Sequence, residues 1–169
     1  MPSTTPPTPT PPTTTLEGIE NPLALEQQVC FALAIASRTV IATYKPLLEP
    51  MGLTHPQYLV MLALWEQEPR RVGELSSALQ LDPGTLSPLL KRLEATGYVR
   101  REKDPADDRA LAVVLTERGR ALRDDALAIP PAIVARLGLP LEDLLELHRR
   151  LTQVIAAATS APSAPTPGT

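Results

Sequence analysis

The chain has 169 residues, 43% of them apolar, 21% charged and only 3% aromatic, with a formal net charge of −3. That length supports one domain whose core is built from Leu, Ile, Val and Ala. No apolar run approaches the ~18–20 residues of a membrane span, and a single cysteine (Cys30) with two distant histidines (His55, His148) excludes an intrachain disulfide framework and any Cys/His metal spacing, so no metal or other cofactor is expected.

Residues 1–15 hold six prolines and seven threonines, and residues 159–169 hold three more prolines. Neither segment can bury enough apolar surface to offset its ordering entropy, so both are expected to be disordered tails flanking a globular part over 16–158. The N-terminus lacks the basic start and apolar stretch of a signal peptide, and the cytosol is the expected compartment.

Leu25, Val29, Leu33, Ala36, Val40 and Leu47 recur at three- and four-residue steps and predict a long helix over 23–49. Pro46 is expected to kink or end it near Tyr44–Lys45. Gly52 stops the run. Thr54, with Pro56 just inside and Gln57 three residues on, has the form of a capping box and opens a second helix to about Glu68.

A short helix over 72–80 follows, with Val72, Leu75 and Leu79 facing in. After a turn at Gln80–Leu81, Asp82 and Pro83 give the N-cap and first position of the next helix, to about Thr96. It buries Leu86, Leu89, Leu90 and Leu93 and offers Thr85, Ser87, Lys91 and Arg92 on its other face. Pro88, in its second turn, removes one backbone hydrogen bond and predicts a slight bend.

The period then changes. Residues 98–103 and 110–115 read as strands around a turn at Asp104–Asp108, a hairpin with a long charged tip. Thr116 caps a helix expected to reach about Leu137 through Pro130–Pro131, and residues 141–158 form the last helix.

Two helices joined by a tight turn and followed by a charged hairpin make a winged helix-turn-helix. The fold class is mainly α with a small β-hairpin wing. The first and last helices are too apolar for one small module, so 23–49 and 117–158 are expected to dimerise around a DNA-binding module at 54–116. A two-fold dimer would set two recognition helices one DNA turn apart, ~34–36 Å, on a pseudo-palindromic operator. Residues 70–123 carry eleven Lys/Arg against eight Asp/Glu, a local +3 against −6 elsewhere. That asymmetry suits either a polyanion surface or a solvated, salt-bridged face.

Several stretches carry a family resemblance. Asp107-Asp108-Arg109, followed by Leu111 to Leu115 and Thr116, is similar to the wing signature of the MarR family of winged-helix repressors. Leu25-Glu-Gln-Gln-Val-Cys-Phe-Ala-Leu33 with Ser37-Arg38, Tyr44-Lys-Pro-Leu-Leu48 with Pro56-Gln-Tyr-Leu59, and Leu81 to Leu93 resemble its OhrR-type branch of organic hydroperoxide regulators. The resemblance covers about 23–158.

It implies roles residue by residue. Cys30 matches the peroxide-sensing cysteine. Tyr44 matches a tyrosine that hydrogen-bonds that sulfur from the other subunit. His55 stands where relatives often carry a second tyrosine, and an imidazole N–H can also donate. DNA contacts fall on Thr85, Ser87, Pro88, Lys91 and Arg92, and the wing arginine on Arg109, oriented by Asp107.

Peroxide reacts with a thiolate, so a sensing cysteine needs a lowered pKa. No Lys, Arg or His neighbours Cys30 in sequence, so activation must come through space. The product is a sulfenic acid. With no second cysteine, it must persist, overoxidise or be capped by a low-molecular-weight thiol. Against this stand Cys30 as a buried small hydrophobe, and Tyr58 and Trp65 as half-buried aromatics.

The reading is a homodimeric, non-enzymatic transcriptional repressor that binds a double-stranded DNA operator and is released when organic hydroperoxide oxidises Cys30. The alternative within the family is release by a phenolic or lipophilic ligand, with Cys30 structural. A thiol peroxidase, or an architectural DNA-binding dimer without an effector, are the readings from other classes.

Overall fold

A computed structural model describes residues 21–104 and 107–160, apart from the side chains of residues 107–110. The tail expected over 1–15 lies outside the described residues, as do residues 161–169 of the tail expected over 159–169; Thr159 and Ser160 are instead the end of the last helix. The chain divides into two units whose boundary falls between Thr39 and Val40.

In the first unit a 3-10 turn, Leu25–Gln27, precedes the start of α1 (Val29–Leu48). The helix thus begins at Val29 and not at 23. Gln28 Nε2 donates to the Pro22 carbonyl at 2.5 Å, holding the preceding segment to the turn.

In the second unit α1 runs through Pro46 to Leu48, so of the kink or end expected near Tyr44–Lys45 the end does not occur. Burial explains the continuation. Leu48 is fully buried and Leu47 packs against the core, so the two residues after the proline have a hydrophobic reason to stay helical. A 3-10 turn (Glu49–Met51) and left-handed Gly52 (φ 66°) close the helix.

Then come α2 (His55–Glu66), β1 (Arg70–Arg71), α3 (Val72–Leu79), α4 (Pro83–Ala95), β2 (Val99–Asp104), β3 (Asp107–Leu115), α5 (Glu117–Ala126), α6 (Ile129–Leu137) and α7 (Leu141–Ser160). The capping box at Thr54 is present: its backbone N–H donates to Gln57 Oε1 at 2.8 Å. Leu64, Leu75, Leu86, Leu90, Leu93 and Val113 fill a core shared by α2, α3, α4 and the sheet. Of the residues expected to face in, Leu75 is buried, while Val72, Leu79 and Leu89 are partly buried against that core.

Three sequence expectations need correction. The sheet has three antiparallel strands in the order β1-β3-β2, with Arg70↔Val113 and Arg71↔Ala112 adding a strand the sequence does not announce. Asp104 and Asp107, read as turn residues, pair with each other at the ends of β2 and β3, so the ladder reaches farther than expected and leaves only residues 105–106 between them. The helix after Thr116 does not continue to Leu137. It breaks at Leu127–Ala128, and Pro130 and Pro131 fall in the first turn of α6, where a missing N–H costs no intrahelical bond.

The last helix, α7, buries none of its residues; Leu141, Leu145, Leu147, Val154 and Ile155 are all exposed in the single chain. No helix among the described residues is long and apolar enough to cross a membrane.

Candidate functional site

The outer face of α4 is built from its cap. Asp82 accepts from the Thr85 backbone N–H at 2.9 Å and from the Thr85 hydroxyl at 2.6 Å. The two bonds from Thr85, the hydroxyl's the larger, hold the Asp82 carboxyl below its ordinary range. A Cβ on Gly84 would come within 2.9 Å of Asp82 Oδ1, so the smallest residue suits that position.

Inward, Leu86, Leu90 and Leu93 anchor the helix at 0% exposure. Outward, Thr85, Ser87, Pro88, Lys91 and Arg92 are all exposed, as the sequence pattern requires. Pro88 lies inside α4 without ending it. A shallow concavity beside this face is lined by Gly84, Ser87, Pro88, Lys91, Glu94 and Arg101.

The cations of the basic segment separate into two groups. Arg70 pairs with Glu66 at 3.0 Å, Arg101 with Glu94 at 3.5 Å, Arg120 with Glu68 at 2.8 Å, Arg100 with Glu102 and Arg71 with Asp104. Lys91, Arg92, Lys103, Arg118 and Arg123 have no ion pair among the described residues, although Arg118 donates to the Thr96 carbonyl at 2.8 Å and lies over the Tyr98 ring. Much of the local basicity is therefore a salt-bridged frame, and the charge outside ion pairs lies on α4, β2 and α5. Asp107 and Arg109 lie on β3, but their side chains lie outside the described residues.

Cys30 is the second residue of α1 and is exposed, so the buried-hydrophobe reading does not hold for the single chain. In the second unit, Tyr44 and His55 meet edge to face, with ring centroids 4.9 Å apart. His55 is half-buried, and burial lowers its pKa below the usual 6.5. Tyr44 also contacts Tyr58 at 6.1 Å, and Tyr58 contacts Trp65 at 6.3 Å. Tyr58 is buried and not half-buried; burial, then the Tyr44 charge, push its phenol up. Trp65 Nε1 donates to the Gly119 carbonyl at 2.9 Å, a structural tie between α2 and α5.

A mainly apolar groove runs beside this cluster, lined by Ile41, Ala42, Leu53, His55 and Pro56. Sequence reasoning missed Glu68. Its Oε2 accepts from the Leu115 N–H at 2.6 Å and its Oε1 from Arg120 Nε at 2.8 Å, tying the end of the wing to α5. Those partners lie 47 and 52 residues away, and no local pattern connects them.

Residues 53–111 match the profile of the MarR family. The HTH-type transcriptional regulator TtmR of Methylorubrum extorquens (strain PA1) is 44% identical over 126 residues, 75% of this chain; the chain spans 65% of TtmR. The Organic hydroperoxide resistance transcriptional regulator of Bacillus subtilis (strain 168) is 41% identical over 129 residues, covering 76% of this chain and 88% of that protein. Among solved structures, reduced AbfR bound to DNA matches with a TM-score of 0.65 at 34% identity, over 80% of this chain and 95% of that one.

Proposed function

The chain belongs to the MarR family, and from that premise we propose that it is a homodimeric DNA-binding transcriptional repressor released from its operator when organic hydroperoxide oxidises Cys30. In this reading α4 enters the major groove, with Thr85, Ser87, Pro88, Lys91 and Arg92 toward the DNA. The β2–β3 wing brings Arg109, oriented by Asp107, to the adjacent minor groove. The exposed apolar faces of α1 and α7 form the dimer, which sets the two α4 helices one DNA turn apart.

The observation that carries the sensing step is the placement of the sole thiol. Cys30 is exposed on the first turn of α1, in a chain 41% identical to an organic hydroperoxide resistance regulator. Its sulfur attacks the terminal peroxide oxygen. The O–O bond breaks, the alkoxide leaves and takes a proton to become the alcohol, and the sulfur ends as a sulfenic acid, oxidised by two electrons. Tyr44 of one subunit serves Cys30 of the other as hydroxyl donor, with His55 against its ring. A low-molecular-weight thiol then condenses with the sulfenic acid, giving a mixed disulfide and water.

The test is Cys30→Ser. The variant is expected to bind DNA as the parent does and to ignore cumene hydroperoxide in a gel shift. Mass spectrometry of the parent is expected to find the added oxygen, or the thiol adduct, on Cys30. Release of the serine variant by peroxide would remove Cys30 as the sensor.

A second reading, release by a phenolic or lipophilic ligand, draws support from the apolar groove at Ile41, Leu53 and Pro56. It predicts that such a compound releases parent and Cys30→Ser alike.

A further inference from the structure

Strand order β1-β3-β2 places Arg71 and Asp104 on the two outer strands, about 9–10 Å apart across the sheet. Arg71 Nε nevertheless donates to Asp104 Oδ2. The guanidinium therefore crosses β3. The β3 residue in register with Arg71 is Ala112, which pairs on its other side with Glu102, two residues before Asp104. Ala112 is buried although it lies outside the hydrophobic core cluster, and a methyl group is a side chain small enough to leave the arginine its path.

Asp104 is itself buried, at the last residue of β2 before the hairpin tip. A carboxylate withdrawn from water at a site that would ordinarily be solvated is costly unless paired. The pair therefore resists being opened. At the other end of the hairpin, Glu68 holds the Leu115 N–H. Both ends of the wing are thus fastened to the segment between α2 and α3, where β1 itself supplies only two residues of ladder.

Next to Asp104 stands Lys103, exposed and without an ion pair among the described residues. The strand register shifts between Lys103 and Asp104, and such irregularities re-aim the side chains beside them. We propose that Arg71 and Asp104 are positioning residues for the wing, their ion pair fixing the hairpin so that Lys103 meets the DNA backbone. The proposal rests on the DNA-binding reading above. It assigns Arg71 of β1 to the fixing of the wing and gives DNA contact to Lys103, the neighbour of Asp104 on β2.

The experiment uses the full chain and duplexes of about 30 base pairs, long enough for two half-sites one helical turn apart, enriched by the wild type from a random pool. Asp104→Ala is expected to weaken binding about tenfold and to reduce the salt slope by about one phosphate contact. Lys103→Ala is expected to lower the slope by a similar amount in the wild type and to add nothing in the Asp104→Ala background. The double replacement Arg71→Asp with Asp104→Arg is expected to restore binding. Circular dichroism checks each variant; if alanine unfolds the hairpin, the nearly isosteric Asp104→Asn takes its place in the same cycle.

Unchanged affinity for a folded Asp104 variant, or a Lys103→Ala effect of equal size in both backgrounds, overturns the proposal and leaves the DNA reading standing. A wild type that enriches no duplex overturns the DNA reading itself.

Discussion

Thr85 binds Asp82 twice, its hydroxyl on Oδ2 at 2.6 Å and its backbone N–H on Oδ1 at 2.9 Å. The residue that opens α4 and a residue on its proposed DNA-facing side are therefore one unit. The hydroxyl proton of Thr85 is committed to the cap, which leaves its methyl group and oxygen lone pairs for DNA.

A pH dependence follows from this unit. The folded Asp82 carboxyl sits below its ordinary value of 3.8. A depressed carboxyl stabilises the fold above the unfolded value, and the contribution is lost as pH falls through the folded one. Wild type is expected to be more stable than Asp82→Ala in urea melts at pH 7, and the gap to narrow as pH falls below 3.8. A gap that stays constant with pH would show that the charge takes no part in the cap.

His55 acts in the same direction, but at higher pH. Burial favours its neutral form, so the unfolded chain binds the proton more readily and stability falls as pH drops through about 6.5. His55→Gln is expected to flatten the part of the stability profile that declines below 6.5. The check is a series of thermal melts across that part, compared with wild type.

On DNA, the uncommitted cations and the salt-bridged ones are expected to differ. Lys91→Ala or Arg92→Ala is expected to weaken binding and to reduce the salt slope by about one. Arg120→Ala, whose parent side chain pairs with Glu68, is expected to leave the slope unchanged. Arg109→Ala is expected to weaken operator binding at least about tenfold at fixed salt. Anisotropy titrations at several salt concentrations separate these outcomes.

Gly119→Ala is expected to destabilise the fold by about 1–3 kcal/mol. A Cβ there would collide with the Tyr98 carbonyl, which is backbone and cannot rotate away. Relief would require moving α5 from the end of β2, straining the Trp65 bond to the Gly119 carbonyl. A lower melting temperature with a native far-ultraviolet spectrum, and a shift in Trp65 fluorescence, would register the displacement.

What the sequence makes legible follows the range of the interaction. The caps at Thr54, Asp82 and Thr116 depend on residues within three positions, and each forms as its local pattern requires. The outward face of α4 is legible because a 3.6-residue period fixes it once Leu86, Leu90 and Leu93 turn inward. Two residues are too few to display a strand period, so β1 exists only because β3 lies beside it. The same range effect hides the partners of Glu68 and Arg71, which stand tens of residues away. The helix break at Leu127 is hidden for a different reason: a doubled proline looks like an obstacle inside one helix but suits the beginning of another.

Gln80 is the one non-glycine residue with positive φ among the described residues, at 51°, and it forms the bend between α3 and α4. An L-residue pays roughly 1–2 kcal/mol for that conformation, so the angle at which α4 is presented is held against local backbone preference by the packing of the helices on either side. Replacement by glycine is expected to relieve the strain and raise the melting temperature while leaving every charge on α4 in place. The bend is thus a tension spring between the scaffold and the reading head, one whose stiffness can be altered from a position outside the proposed contact surface.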